Sequence, residues 1–311
     1  MRAAVATLVA LLLAAGSPAG IARAESAPLD SVASVAITVQ DAARSTAFFR
    51  DVLGFTVASQ EKTVGARWAP SATGLGPATV ELVHLELGGT RVDLADWVDR
   101  EGAAYPADSR SNDLWYEHVG IAVSDMKAAV ARLEAAGVRP ISEAPQVLPA
   151  TNPGSAGIEV YCFRDPDGHP MELVHYPKGK GDARWQATGH GVFLGVDHVA
   201  LVVSDLDESV KFYAGRLGMS LAWRGDHSGP EQQGLFGVPG ASLRVAGLRE
   251  KHGPAVELLQ YLEPRDGRPR PRDARANDLL VRYVVLGDST DPGARLAVMS
   301  DPDGHLVKSP N

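Results

Sequence analysis

Glu172 is an acid in apolar company, flanked by Met171, Leu173 and Val174. A carboxylate buried alone is costly, so this residue needs a partner that carries charge or donates hydrogen bonds. It belongs to the stretch from Ile158 to Tyr176, IEVYCFRDPDGHPMELVHY, where Asp165-Pro166-Asp167-Gly168-His169 separates two apolar runs. Pro166 presets φ and Gly168 accepts a positive φ, so the stretch reads as a β-hairpin with Glu172 on its second strand. Two imidazoles sit in apolar runs of their own: His118 in EHVGIAVSD (117–125) and His198 in DHVALVVSD (197–205). Taken singly, each reads as a core histidine satisfied by hydrogen bonds. Brought together with carboxylates, such groups hold divalent metals or move protons.

The elements that would position them come from a repeat. Val32–Asp41 (VASVAITVQD) and the helical stretch after it return 164 residues later as Val196–Asp205 and LDESVKFYAGRLGM. Pro106–Leu114 (PADSRSNDL) returns as Pro271–Leu279 (PRDARANDL), 165 residues later. The chain is therefore an internal duplication. Each half is itself double, because Glu117–Asp125 also precedes a helical stretch, MKAAVARLEAAG, with Val130 and Leu133 on one face and Gly137 as terminator. The unit is a strand, a helix and about three short strands. It predicts an α+β fold of four βαβββ modules that start near Val32, Tyr116, Val196 and Val281. The fourth is truncated, with no room for a full helix. The expected domains are 30–178 (modules 32–98 and 116–176) and 195–311, joined by a polar linker over 179–194.

Four such modules, with a His on a first strand and FRDPDGHPMEL closing one of them, resemble the vicinal oxygen chelate superfamily. It includes glyoxalase I, extradiol dioxygenases, fosfomycin-resistance enzymes and bleomycin-binding proteins. The resemblance covers essentially the whole chain after residues 1–24, and is most specific from Glu117 to Tyr176 and at the start of module three. It implies tandem modules forming two cup-shaped mixed sheets with helices outside. Ligands come from the first and last strands of each module, and a divalent metal chelates two neighbouring substrate oxygens. Carried onto the repeat, those positions are Ser34 and Asp93 in module one, His118 and Glu172 in module two, His198 and Glu257 in module three, and Tyr283 and Lys308 in module four. If sequential modules pair, Ser34, Asp93, His118 and Glu172 share a first cup, which suits Mn, Fe, Ni or Zn. His198, Glu257, Tyr283 and Lys308 then share a second, in which the Lys308 ammonium repels a cation and neutralises Glu257. His169 and His305 fall inside turns, His175 points away from Glu172 by strand alternation, and His84 lies outside the ligand positions. Trp68, Trp97, Trp115 and Tyr116 are candidates for a pocket mouth or, equally, for aromatic core packing.

The resemblance implies a metal-dependent isomerase or lyase of glyoxalase type acting on a small oxygenated substrate, with Glu172 shuttling a proton. A non-catalytic, bleomycin-resistance-like binding protein is the alternative, and Ser34, Tyr283 and Lys308 favour it because each weakens a metal site. An extradiol dioxygenase ranks third, since it needs two His and one carboxylate and the expected first cup has one His.

Composition bounds the setting. The chain has 311 residues, 45% hydrophobic and 22% charged, with a formal net charge of −8 and no compensating basic stripe, which argues against nucleic acid as a partner. Cys162 is the one cysteine, so no intramolecular disulfide forms, and it reads as a small buried hydrophobe. Met1-Arg2, an apolar run over 3–15 and Ala22-Arg23-Ala24 read as a secretory signal peptide over 1–24, cleaved near Ala24. That run is too short for a membrane span, so a periplasmic or secreted protein is expected. A homodimer is in keeping with the family, where modules exchange between chains.

Overall fold

A computed structural model describes residues 31–64, 75, 78–186, 191–287 and 296–310. The expected signal segment, and Trp68 among the candidate pocket residues, lie outside the described residues. Module one runs through β1 (Val32–Val39), α1 (Ala42–Asp51), β2 (Thr56–Val64), β3 (Thr79–Leu87) and β4 (Thr90–Asp96). Module two runs through β5 (Glu117–Val123), α2 (Met126–Ala135), the two-residue strands β6 (Arg139–Pro140) and β7 (Gln146–Val147), β8 (Glu159–Arg164) and β9 (Pro170–His175). Module three comprises β10 (Phe193–Val202), α3 (Leu206–Val210, continued by a π-helical segment Lys211–Arg216), β11 (Ser220–Ser228), α4 (Pro230–Phe236), β12 (Ser242–Arg249) and β13 (Ala255–Glu263). Module four has β14 (Arg282–Leu286), β15 (Leu296–Ser300) and β16 (Leu306–Pro310), and no helix among the described residues. The unit expected from the repeat is the unit observed.

The aspartate that ends each first strand starts the next helix. Asp41, Asp125 and Asp205 each accept hydrogen bonds from backbone N–H groups of the first helical turn, which otherwise have no partner. Gly168 has φ +92° in the hairpin turn, as its place after Pro166-Asp167 requires.

The sheets do not join the modules in sequence order. One runs β15-β16-β14-β1-β4-β3-β2 and so combines modules one and four. The other runs β11-β12-β13-β10-β5-β9-β8-β6, with β7 on β8, and combines modules two and three. The expected pairing of one with two and three with four is therefore corrected. β10 follows the polar linker and lies antiparallel to β5 from the previous half. The longer connections after β4 and β13 instead cross between the sheets, and they contain the repeated PADSRSNDL and PRDARANDL segments. These segments dock on each other's flanks. The Leu114 N–H donates to the Arg268 carbonyl and the Leu279 N–H to the Ala103 carbonyl, each at 2.9 Å. Asp113 accepts from the backbone N–H groups of Arg110 and Arg268, and Asp278 from those of Arg275 and Ala103. A repeat predicts equivalent crossovers whichever neighbour a module chooses, so the pairing was invisible in sequence.

Strand alternation separates core from cup. Val35 and Ile37, Val119 and Ile121, and Val199 and Leu201 join one large core cluster with residues of α1, α2 and α3. The alternate residues, His118 and Gly120 on β5 and His198 and Ala200 on β10, turn to the other face.

Candidate metal centre

Neighbouring strands bring four functional side chains onto two rungs of the second sheet. Gly120 on β5 pairs with Glu172 on β9 and with His198 on β10, giving the rung Glu172–Gly120–His198. Ala200 on β10 pairs with His118 on β5 and with Glu257 on β13, giving His118–Ala200–Glu257. The rungs are related by the internal duplication, and each has a small residue at its centre. Gly120 is required there by close approach: a Cβ at this position would lie 2.3 Å from His198 Cε1. The imidazole of His198 rests on the bare backbone of β5.

The result is compact. The facing Nε2 atoms of His118 and His198 are 3.3 Å apart, and Glu172 Oε2 is 3.1 Å from His198 Nε2 and 3.6 Å from His118 Nε2. The three side chains are buried and offer ligand atoms within 4.8 Å of one another. Glu257, with its side chain 21% exposed, places Oε2 3.9 Å from His198 Nε2. Two imidazoles and one or two carboxylates make a donor set that suits a first-row divalent cation, so the residues fit the metal that the fold implies.

The two imidazoles differ behind the site. A register shift of β10 between Val196 and His198 turns Asp197 and His198 toward the same region, and Asp197 Oδ2 lies 3.1 Å from His198 Nδ1. Asp197 is buried and also accepts from the Tyr176 hydroxyl at 2.8 Å and from the Trp185 indole N–H at 2.5 Å. That carboxylate fixes the ring and directs Nε2 into the cup. His118 Nδ1 has no hydrogen-bond partner among the described residues, and its ring packs near Tyr116 and Phe236.

Burial opposes ionisation throughout, and the neighbours decide the outcome. Burial would raise the Glu172 carboxyl, but the two imidazoles outweigh it and bring it down to about 2. Burial pulls His118 below its ordinary value despite Glu172. His198 rises well above its own, since Glu257, Asp197 and Glu172 overcome burial. Burial, together with the charges of Glu172 and Asp197, raises Glu257. The Cys162 thiol, pushed well up by burial and by Glu172, stays protonated and donates to Glu172 Oε1 at 3.8 Å.

Of the residues expected to share a first cup, the structure brings together His118 and Glu172 and leaves Ser34 and Asp93 on the other sheet. The expected second cup is likewise divided, since His198 and Glu257 join His118 and Glu172 instead. The equivalent rungs of the first sheet are Lys308–Val285–Ser34 and Tyr283–Ala36–Asp93, so the residue-by-residue alignment of the repeats is sound although the cup assignment is not. Asp93 is occupied there. Its Oδ1 is 2.6 Å from both His84 Nδ1 and Arg91 Nε, and its Oδ2 accepts from the Ser34 hydroxyl at 2.7 Å. Lys308, expected to neutralise Glu257, is buried beside the Tyr283 ring, with Nζ 4.3 Å from its centre, and burial pulls its ammonium well below the ordinary lysine value against the opposing charge of Asp93. Within this set, Arg91 supplies the positive charge that Asp93 meets.

His169 and His305 are structural. Each is buried in its turn and reaches a distant backbone carbonyl, Leu279 in the crossover before β14 for His169 and Val202 on β10 for His305. Trp97, Trp115 and Tyr116 are core residues rather than a pocket mouth. The pocket over the second sheet, about 480 Å³, is lined by Glu172, His198, Glu257 and Trp223 and walled by Leu235 and Phe236 of α4. Sequence reasoning passed over α4, Trp223, Asp197 and Trp185. The Asp-His pair and a Trp in a polar linker were available as signals for the last two. A wider cleft of about 710 Å³ around Arg270 and Asp301 contains none of the ligand residues.

The family model described as Glyoxalase/Bleomycin resistance protein/Dioxygenase superfamily matches residues 31–173 and 195–308. Among solved structures, glyoxalase I from Zea mays is similar at 18% identity and a TM-score of 0.57, over 91% of this chain and 92% of that one. A mutant of the same enzyme gives 16% identity and a TM-score of 0.57, over 91% and 93%. A Bacillus subtilis protein bearing a provisional dioxygenase name gives 14% identity and a TM-score of 0.54, over 92% and 86%. At these identities the likeness is one of fold. No curated protein matches the chain in sequence.

Proposed function

The chain belongs to the glyoxalase/bleomycin resistance protein/dioxygenase superfamily, and from its site we propose a divalent-metal-dependent isomerase or lyase acting on a small substrate with two adjacent oxygens. The observation that carries this reading is the convergence of His118, His198 and Glu172 within 4.8 Å, beside Glu257 in a pocket. His118 Nε2, His198 Nε2 and Glu172 Oε2 would hold the ion, and Glu257 completes the set or leaves it to meet substrate. A bound Mn, Fe, Ni or Zn ion would supply Lewis acidity to a substrate oxygen. Glu257, half-buried at the pocket wall, is placed to take a proton from a carbon next to a carbonyl and return it to the neighbouring carbon. Glu172 is fixed between two imidazoles and serves as the permanent anionic ligand, so the proton-shuttling role moves from Glu172 to Glu257. The apolar walls of α4 exclude water from that transfer.

The cup also favours a second reading. Two His and one carboxylate are the donors of non-haem Fe(II) oxygenases, and the expected cup lacked the second His. Elemental analysis of the purified protein tests both, and about one divalent metal per chain is expected. With metal bound, oxygen uptake with catechols marks the dioxygenase, and conversion of an α-hydroxy aldehyde to the isomeric α-hydroxy ketone without oxygen marks the isomerase. A folded protein that binds no divalent metal refutes both readings and leaves a binding protein. Export rests on the apolar run over 3–15 and Ala22-Arg23-Ala24, and an uncleaved chain in the cytosolic fraction of its host would refute it. Among the described residues, no helix is long and apolar enough to cross a membrane.

A further inference from the structure

The outer half of the cup has a chemistry of its own. Trp223 on β11 pairs in register with Gly247 on β12, which pairs with Glu257 on β13, so the three form a row leading from the edge strand to the metal centre. Gly247 is required there. A Cβ on it would lie 2.1 Å from the Trp223 indole nitrogen, so the ring rests on bare backbone beside Glu257. Trp223 stays 37% exposed in a pocket otherwise walled by buried Leu235, Leu243 and Leu259. An indole held flat over a glycine, with one side open, is a stacking surface.

A cation stands next to it. Arg249 lies two residues beyond Gly247 on the same face of β12, a step of roughly 7 Å along a strand. It lines the pocket, and its guanidinium makes no hydrogen bond or ion pair among the described residues. Arg224, the other guanidinium in the lining, is already bound to Asp207 at 2.5 Å. Glu257 feels the charge of Arg249, yet is itself a candidate metal ligand. No ion pair joins the two, so Arg249 faces the cavity whether or not a metal is bound.

We propose that the cup selects a planar aromatic acid, whose ring stacks on Trp223 and whose carboxylate meets Arg249. The step of roughly 7 Å from Gly247, which lies under the indole, to Arg249 is about the span of one ring and its acidic group. In the proposed reaction, the reactive oxygens would sit beyond the ring, toward Glu257 and the two histidines. That placement rests on the metal-dependent function proposed above, but the stacking and charge recognition do not.

The test is equilibrium binding, by calorimetry, of benzoate, cyclohexanecarboxylate and benzylamine to the full chain. It is run on the wild type and on Glu172→Gln, which removes a metal ligand. Benzoate is expected to bind tighter than both others in either background. Trp223→Ala should weaken benzoate by roughly 2- to 12-fold, the range for an aromatic pair, and leave cyclohexanecarboxylate nearly unchanged. Gly247→Ala should do the same by lifting the indole. Arg249→Met should abolish the preference for benzoate over benzylamine. Tm and circular dichroism of each variant establish that it is folded. Equal affinity for benzoate and cyclohexanecarboxylate, a preference for benzylamine, or a Trp223→Ala variant that weakens both acids alike would each overturn the proposal. Metal binding without benzoate selectivity would sink this proposal alone. Benzoate selectivity in a wild type that takes no metal would sink the metal-dependent function and leave the stacking site standing.

Discussion

Gly120→Ala is the sharpest perturbation of the metal centre, because it adds one carbon and replaces no ligand residue. That carbon would lie 2.3 Å from Cε1, 2.5 Å from Nε2 and 2.6 Å from Nδ1 of His198. Ordinary contact begins near 3.4 Å, so the ring must move by about 1.1 Å. Functional constellations tolerate displacements of about 0.5 Å, so His198 Nε2 would leave the reach of an ion held by His118 and Glu172. Losing or disturbing a ligand's support typically costs 10- to 100-fold in metal affinity, or about 1.4–2.7 kcal/mol. The fold should survive, since a single methyl forced into a packed region costs about 1–3 kcal/mol. The assay is competition with a chromophoric chelator, alongside thermal unfolding of the metal-free protein. Gly191→Ala is the control, because a Cβ there would meet nothing within 4 Å. In a His198→Ala background the Gly120→Ala change should have little further effect, because the two act on one contact. A Gly120→Ala protein that binds metal within threefold of wild type, at unchanged Tm, would refute the placement of His198 over β5.

Further outcomes follow from the same geometry. His198→Ala should remove the metal as completely as His118→Ala, whereas Ser34→Ala and Asp93→Asn should leave metal content unchanged; elemental analysis distinguishes them. Asp197→Asn keeps the size of the side chain but offers one acceptor oxygen where Tyr176, Trp185 and His198 now share two. Metal affinity should fall about 10- to 100-fold with little change in fold, and an unchanged affinity would show that His198 is oriented by other contacts. His305 is raised to about 9, because Asp301 and Glu117 outweigh the opposing effect of burial. Its folded value lies above the ordinary 6.5, so its contribution to stability is complete below that pH and is lost as pH rises through about 9. Unfolding of the metal-free protein in urea should therefore weaken across that window, and His305→Gln should flatten the decline.

Much of this protein is legible along the chain. Spacing of apolar residues, the Asp that opens each helix, and the Pro-Asp-Gly turns are local signals, and each describes atoms within a few residues of itself. They placed the four modules and the strand positions of His118, Glu172, His198 and Glu257. The duplication extended this by showing that those four positions are equivalent in pairs, and that Ser34, Asp93, Tyr283 and Lys308 occupy the same places elsewhere. The DPDGH histidines illustrate the limit. Their place in a turn excluded them as ligands, but nothing local shows that His169 reaches Leu279 or that His305 reaches Glu117 and Val202.

Which modules share a sheet was decided in three dimensions. Backbone hydrogen bonding between β5 and β10 is the same chemistry as any other antiparallel pairing and leaves no mark on side-chain pattern, so His118 could be joined to Ser34 or to His198 with equal local sense. The answer depends on crossovers that pack against each other from opposite ends of the chain, Asp113 with Arg268 and Asp278 with Ala103. By itself the sequence determined the kind of ligand each strand offers. The tertiary structure decided their company: two imidazoles and two carboxylates on one sheet, and a carboxylate enclosed by His84, Arg91 and Ser34 on the other.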